Sequence, residues 1–87
     1  MPSSIFAARY DAVVDVLARA RRESGVTQAE LARRLERHQS YVSKIERRER
    51  RVDPVEFHDW GRALGIDPAH LFAQLVQALS AVDTPRP

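Results

Sequence analysis

The sequence predicts an all-α protein, folded as one compact bundle of five helices. Apolar residues recur at intervals of three and four along most of the chain, which is the spacing of one helix face. Helix-starting polar residues, prolines and glycines divide these stretches into five, and no stretch alternates apolar and polar residues as a strand does. We therefore predict one domain over residues 1–87, with an ordered core at about 5–80 and tails at 1–4 and 81–87.

The first predicted helix covers about residues 5–24, and Gly25 ends it as a left-handed residue would. Its apolar side is formed by Phe6, Tyr10, Val13, Val14, Leu17 and Ala20. The second helix follows Thr27, a good N-cap residue that forms a capping-box pattern with Glu30. This second helix is short and is expected to end near Glu36.

The third helix is predicted to begin near Gln39 and has two contrasting sides. Its apolar side consists of Tyr41, Val42 and Ile45, and its polar side of Gln39, Ser40, Ser43, Lys44 and Arg47. Because short and amide side chains come first and cations follow, the polar side suits the edge of a base pair followed by a phosphate. Tyr41 has two interpretations: its ring packs at the edge of the core, or it contacts DNA by stacking on a sugar or methyl group.

The fourth and fifth helices are predicted to begin in the same way. Asp53 and Asp67 are N-cap residues, and a proline follows each at the first helical position. The fourth helix runs to about Leu64, with Trp60 in the core and Gly61 allowing a neighbour to approach closely. The fifth helix carries a broad apolar face made of Leu71, Phe72, Leu75, Val76 and Leu79.

Charge is distributed unevenly along the chain, although the formal net charge is only +2. Residues 19–51 contain ten Arg and one Lys against five Glu, a net of +6. The segments on either side, residues 1–18 and 52–87, carry −1 and −3. This basic segment coincides with the second and third helices and indicates a surface that binds a polyanion. The alternative is an ordinary solvated helical surface.

Other classes of function find little support in the composition. The chain has no cysteine, so it has neither a disulfide framework nor a thiolate metal site, and a cytoplasmic location is expected. It contains no apolar run near the ~20 residues needed to cross a membrane, and its N-terminus does not resemble a signal peptide. The three histidines lie outside any metal-binding or catalytic motif. We expect no metal, no cofactor and no enzymatic activity.

Several motifs together resemble a known family: TQAELARRL, QSYVSKIE, ERR, RALGID and a following LF. With them the chain resembles the Cro/repressor-type helix-turn-helix proteins, the XRE family, over roughly residues 16–76. The resemblance implies a lambda-repressor-like domain with the helix-turn-helix at helices two and three, and a third helix that enters the major groove. The chain departs from the family at Glu36 and Arg48, usually Gly, and at Val52, often Pro. A positive φ at either non-glycine position would cost roughly 1–2 kcal/mol.

The resemblance also implies roles for particular residues. Positions that contact base edges are matched by Gln39, Ser40, Ser43 and Lys44. Gln28 matches a phosphate-contacting position, and Arg21 with Glu46 matches a structural salt bridge between helices one and three. Phosphate is also the expected partner of the side chains near helix three, namely Arg37, Arg47, Arg48, Arg50, Arg51 and, in one of its interpretations, Tyr41. The alternative for the cations is a solvated helix end.

These observations favour a sequence-specific regulator of double-stranded DNA, a repressor that binds a palindromic operator as a homodimer. The apolar face of helix five is broader than a bundle of this size must bury. We therefore predict that the dimer interface includes Leu71, Phe72, Leu75, Val76 and Leu79, together with the start of helix one. Two alternatives remain: an antitoxin that binds a protein toxin as well as DNA, and a helical protein-interaction module that does not bind DNA.

Overall fold

The computed structural model describes residues 5–84, with side chains from residue 7 onward. The chain forms α1 (Ile5–Glu23), α2 (Gln28–Arg34), α3 (Ser40–Glu46), α4 (Pro54–Ala63) and α5 (Pro68–Asp83). No strand occurs within residues 5–84, so the predicted all-α, five-helix architecture is confirmed. Helix α5 continues to Asp83, beyond the predicted end of the ordered core at residue 80. Of the predicted tails at 1–4 and 81–87, residues 81–83 are helical, whereas residues 1–4 and 85–87 lie outside the described residues, as does the side chain of Phe6.

The starts of α4 and α5 follow the predicted capping chemistry. Asp53 Oδ1 accepts the backbone N–H of Glu56 at 2.8 Å, and Glu56 Oε1 accepts the backbone N–H of Asp53 at 3.0 Å. This complete capping box fixes the Glu56 side chain as well as the helix start. At α5, Asp67 Oδ1 accepts the backbone N–H of Ala69 at 3.0 Å.

The start of α2 uses only half of the predicted capping box. Thr27 Oγ1 accepts the backbone N–H of Glu30 at 3.0 Å, but the Glu30 carboxylate does not return a bond to Thr27. It pairs instead with Arg33 and Arg34, one turn further along the helix. Hydrogen bonds from Arg33 and then Arg34 lower the pKa of Glu30 to about 2. The prediction of a reciprocal box was therefore wrong, because the two guanidinium groups are stronger partners for the carboxylate.

Four helices end in the same left-handed turn, known as a Schellman motif. At the end of α2, Glu36 N donates to Arg33 O at 3.1 Å and Arg37 N donates to Ala32 O at 3.0 Å. Glycine occupies the left-handed position after α1 and α4, but Glu36 and Arg48 occupy it after α2 and α3, with φ of 54° and 63°. Both positions where the family usually has Gly thus carry a non-glycine residue with positive φ, the case for which a cost of roughly 1–2 kcal/mol applies.

The core is organised around Trp60, which is completely buried. Its Nε1 donates to the carbonyl oxygen of Leu17 at 3.0 Å and so joins α4 to α1. Fully buried side chains from the other helices surround this contact: Leu31, Ile45 and Leu71. Helices α2 and α3 pack on each other and reach α4 and α1 respectively, so the helix-turn-helix rests on a rigid base.

Two predictions about the apolar faces need correction. Leu71 and Leu75 are 0% and 7% exposed, so they belong to the core and are not available as dimer-interface residues. One reason is that α5 approaches α4 closely, as predicted: a Cβ added at Gly61 would lie 3.2 Å from Leu71 Cδ2. On α1 the buried side also includes Ala12 and Ala18, which were not predicted to be in the core.

Candidate nucleic-acid interface

Helix α3 has one buried side and one side that faces away from the protein. Tyr41, Val42 and Ile45 are buried at 7%, 0% and 0% exposure. The opposite side, here called the recognition face, comprises Gln39, Ser40, Ser43 and Lys44. Gln39 and Lys44 are exposed and the two serines are half-buried. The structure thus brings together, on one outward surface, all four residues predicted to contact bases.

The groups of the recognition face differ in how far they are already hydrogen-bonded. Ser43 Oγ donates to Ser40 O at 3.0 Å, and Ser40 Oγ lies 2.9 Å from Nδ1 of His38. That same Nδ1 accepts the backbone N–H of Ser40 at 3.2 Å, so His38 helps to cap α3 although it is a poor N-cap by type. The amide of Gln39 makes no hydrogen bond within residues 5–84, and it remains available to a ligand.

A largely shielded ion pair between Arg21 and Glu46, here called the buried pair, fixes the orientation of α3. Arg21 Nε and Nη2 donate to the two carboxylate oxygens of Glu46 at 2.6 and 2.9 Å, and Arg21 Nη1 donates to Val26 O at 3.0 Å. The two side chains are 12% and 8% exposed. Burial alone would raise the pKa of Glu46, but the hydrogen bonds from Arg21 and Gln28 outweigh it and hold this pKa below its ordinary value. The structure forms the pair of residues that the family resemblance implied.

Gln28 belongs to this network from the other side. Its Nε2 donates to Glu46 Oε1 at 2.9 Å, which ties the first residue of α2 to the end of α3. One of the two amide hydrogens remains for another acceptor. The predicted phosphate contact of Gln28 therefore stays a prediction, with a structural role added to it.

The predicted phosphate-contacting arginines fall into distinct environments. Arg48 points back to α1, where Nε donates to Asp11 at 2.5 Å and Nη2 to Asp15 at 3.2 Å. Its Nη1 lies 3.4 Å from Glu46 O, so every guanidinium nitrogen of Arg48 already has a protein partner. These bonds use three of its five N–H donors and hold the guanidinium group against α1, which sets Arg48 apart from the other arginines.

Arg47 and Arg51 remain on the surface at the end of α3. Arg47 pairs with Glu49 through Nε and Nη2, and both side chains are more than half exposed. The guanidinium carbon of Arg51 lies 4.2 Å from the ring centroid of Tyr10. Neither arrangement is buried, so both cations can reach an anion by a change of rotamer.

A group of four residues, here called the tyrosine cluster, borders the recognition face: Arg37, Tyr41, Arg50 and Glu56. The guanidinium carbons of Arg37 and Arg50 lie 4.6 and 4.8 Å from the ring centroid of Tyr41. Both arginines also pair with Glu56 Oε2, Arg37 Nη2 at 3.2 Å and Arg50 Nη1 at 2.9 Å. Burial and the nearby Glu56 carboxylate raise the pKa of Tyr41 to about 12.

The tyrosine cluster decides between the two interpretations of Tyr41. The ring is buried and the hydroxyl bonds to Glu56, so the core interpretation is confirmed. The contact between Glu56 and Tyr41 was not predicted from the sequence. Glu56 follows Asp53 by three residues, the spacing of a capping box, but no sequence signal indicates that its second oxygen faces Arg37 and Arg50.

No group of three or more His, Asp or Glu side chains is placed to hold a metal ion within residues 5–84. Over the same residues, no helix combines the length and the apolar character that crossing a membrane requires.

A five-helix fold with an outward recognition face on α3 is the architecture of a helix-turn-helix protein. The family model of the helix-turn-helix domain matches residues 12–82 of the chain. Among solved structures, an XRE-family like protein from Pseudomonas syringae pv. tomato str. DC3000 is 51% identical, with a TM-score of 0.77, over 84% of this chain and 89% of that one. A search of curated proteins gives no match.

The chain belongs to the XRE-type helix-turn-helix family. The length of the segment matched by the family model supports this assignment. The segment includes most of α1, all of α2 to α4 and nearly all of α5. Membership of this family makes the chain a DNA-binding regulator.

Proposed function

We propose that the protein is a cytoplasmic repressor that binds a palindromic operator in double-stranded DNA as a homodimer, with α3 in the major groove. The observation that carries the proposal is the recognition face: exposed polar side chains on a helix whose other side is buried and whose end is fixed by Arg21 and Glu46. A reading helix must be held rigidly, because base contacts depend on fixed geometry.

Each residue of the recognition face has a proposed task. Gln39 has a free amide that both donates and accepts, which matches the major-groove edge of adenine. Lys44 reaches guanine acceptors or a phosphate, and Ser40 and Ser43 add weaker contacts. Phosphate contacts give affinity and register, and we assign them to Gln28, Arg37, Arg47, Arg50 and Arg51.

The homodimer proposal rests on a revised surface of α5, here called the apolar patch: Phe72 and Val76, one helical turn apart. These side chains are 55% and 48% exposed. Phe72 meets Phe57 edge to face, with ring centroids 6.2 Å apart, so it is held in place while its outer side faces solvent. A shallow groove of about 210 Å³ adjoins it, lined in part by Val13, Val52 and Leu75. Leu79, half-buried on α5, remains a candidate at the edge of this surface.

Selection of bound duplexes from a random DNA pool tests the repressor proposal directly. We expect one enriched inverted repeat, with half-sites separated by about one helical turn, 34–36 Å. Enrichment of a single half-site would contradict the proposed dimer. Absence of any enriched sequence would contradict sequence-specific binding. Sedimentation without DNA, with Phe72→Ser beside the wild type, checks whether the apolar patch forms the dimer.

Replacing Gln39 tests whether the recognition face reads bases. Gln39→Ala should lose on the order of 1–3 kcal/mol of discrimination at one base pair of the selected site, because a bidentate contact is removed. The measurement is a set of binding titrations with the selected duplex and its single-base variants. An equal loss for every duplex would show that Gln39 does not read a base.

The apolar patch also supports a second candidate, a helical protein-interaction module that does not bind DNA. The two candidates differ in whether the protein shows salt-dependent binding to DNA. If several phosphates are contacted, binding of random duplex DNA should weaken steeply as salt rises from about 50 to 200 mM. An absent or salt-independent interaction with DNA would favour the protein-interaction function.

A further inference from the structure

A concave pocket of about 190 Å³ lies between the tyrosine cluster and the recognition face. Its walls are Arg37, His38, Ser40, Tyr41, Lys44 and Arg50. Three permanent cations, Arg37, Lys44 and Arg50, therefore surround it, and the single carboxylate in contact with two of them is Glu56. Glu56 is only 11% exposed, whereas Arg37 and Arg50 are 45% and 38% exposed. The accessible surface of the pocket is consequently cationic.

We propose that this pocket is a preformed site for one backbone phosphate of the DNA, bound by Arg37 and Arg50, and that Glu56 is the positioning residue for both arginines. The inference rests on the proposed DNA binding and deepens it. The pocket shares Ser40 and Lys44 with the recognition face, so a phosphate bound there would adjoin the base pairs that α3 reads. Such a phosphate sets the register of the helix in the groove.

The guanidinium groups have donors left for a phosphate. Arg37 uses only Nη2 to bind Glu56, and its Nε and Nη1 make no other hydrogen bond within residues 5–84. Arg50 uses Nη1 for both Glu56 and the carbonyl of Arg51. Because a guanidinium group carries five N–H donors, each arginine can bind Glu56 and a phosphate at the same time. Glu56 therefore does not have to be displaced when the anion arrives.

Glu56 itself is firmly held and remains ionised. Its other oxygen accepts the backbone N–H of Asp53 at 3.0 Å in the capping box of α4. Burial alone would raise the pKa of Glu56, but the Asp53 backbone bond and the side chains of Arg50 and Tyr41 outweigh it and keep this pKa below its ordinary value. A fixed carboxylate reduces the rotamer freedom that two free arginines would lose on binding.

Arg47 offers a matched contrast. Its partner Glu49 is 54% exposed, and the pair spans two residues just after α3 with no fixed third group. There the carboxylate competes with a phosphate for Arg47 and does not position it. Removing the carboxylate should therefore have opposite effects at the two places.

The experiment compares Glu56→Gln with Glu49→Gln on the duplex selected by the wild type. Glutamine also serves at the third position of a capping box, so Glu56→Gln keeps the start of α4. We expect Glu49→Gln to bind about twofold tighter, because one exposed negative charge is lost. Glu56→Gln should bind about tenfold weaker despite the same change of charge, because two arginines lose their fixed position. Circular dichroism and thermal melting establish that both variants are folded.

A second comparison separates positioning from a general loss of structure. In an Arg37→Ala/Arg50→Ala background, Glu56→Gln should no longer weaken binding, since no arginine remains to be positioned. Replacing phosphates one at a time by neutral methylphosphonates should reveal one position at which the wild type loses affinity and this double variant does not. That measurement does not depend on the folding of Glu56→Gln.

The outcomes are distinct for each part of the argument. If the wild type binds the duplex and Glu56→Gln binds equally or more tightly, the positioning role is overturned while DNA binding stands. If the wild type binds no duplex, the proposed function and this inference both fall. Inorganic phosphate at constant ionic strength should compete no better than chloride. Competition at millimolar phosphate that Arg37→Ala/Arg50→Ala abolishes would assign the pocket to a free anion and overturn the DNA assignment.

Discussion

Two sets of ion pairs join α1 to the end of α3, and they differ mainly in their exposure to water. Arg21 and Glu46 are 12% and 8% exposed, and their contact is bidentate. Arg48 is 41% exposed, and its partners Asp11 and Asp15 are 41% and 68% exposed. Both sets pair a guanidinium group with carboxylates. When one partner is lost, water readily solvates the remaining charge in the exposed set but much less so in the buried pair.

This difference separates a structural ion pair from a surface one. Removing one partner of a buried pair leaves an unpaired charge in the protein, whereas an exposed partner is simply rehydrated. The orientation of α3 should therefore depend on Arg21 and Glu46 and only weakly on Arg48. Arg48 also carries backbone strain, because its φ is 63°. Its ion pairs and its strain act in opposite directions on stability.

The largest expected effect is that of Arg21→Ala. It leaves Glu46 without its bidentate partner in the interior, which should lower the free energy of unfolding by about 3 kcal/mol. Urea unfolding followed by circular dichroism measures this change. A melting temperature equal to that of the wild type would show that the buried pair does not stabilise the fold.

The second largest expected effect on stability is that of acid on the buried pair. The pKa of Glu46 is lower in the folded protein than its ordinary value of 4.5, so its contribution to stability is present above that pH and is lost as pH falls through the lowered pKa. The free energy of unfolding should thus decrease below about pH 4.5. Glu46→Gln should be less stable at neutral pH but show a shallower decrease. Part of the decrease will remain, since the pKa of Glu30 is also lowered, to about 2.

Substitution by glycine measures the backbone strain at Glu36 and at Arg48, since both residues have a positive φ. Glu36→Gly should stabilise the protein by about 1 kcal/mol, because the left-handed position favours glycine and the Glu36 side chain has no ion pair within residues 5–84. Arg48→Gly relieves similar strain but loses Asp11 and Asp15, so its gain should be smaller. The matched control is Gly25→Ala, where an added Cβ meets nothing within 4 Å and φ is +71°, so any loss of stability is conformational. Equal gains in the free energy of unfolding at positions 36 and 48 would mean that the exposed ion pairs of Arg48 contribute nothing to stability.

The smallest expected effect is that of Arg48→Ala. Losing exposed pairs should lower the free energy of unfolding by about 0.5 kcal/mol, and about 1 M NaCl should abolish the difference from the wild type. Most of the penalty of Arg21→Ala should persist at the same salt concentration, because the pair is largely shielded from water and ions. A salt-resistant effect of Arg48→Ala would overturn the division between the two sets.

Local chemistry made most of the fold predictable. Asp53, Asp67 and Gly25 set helix ends through bonds between near neighbours in sequence, and these helix ends were predicted correctly. The burial of Leu71 and Leu75 was not predicted. The periodicity of α5 shows that one face is apolar but does not show which part of that face packs against α4 and α1. Arg21 with Glu46 was reached through the family resemblance, which supplied a contact between residues far apart in sequence.

The candidate site was predictable in outline. The recognition face follows from helical geometry, since Gln39 and Lys44 must lie opposite Val42 and Ile45. The partners of the arginines do not follow, because long side chains choose among several acceptors only when the fold brings those acceptors near. Glu56 and Asp11 lie on other helices and have no local pattern that links them to α3.

The sequence contains a single tryptophan, Trp60, and its enclosed indole provides a spectroscopic tool. Its bond to Leu17 O joins residues 43 positions apart, so its fluorescence should respond when α4 leaves α1. A duplex bound at α3 would not touch it. Tryptophan fluorescence should therefore report unfolding alone, and a labelled oligonucleotide in the same cuvette would report DNA binding separately.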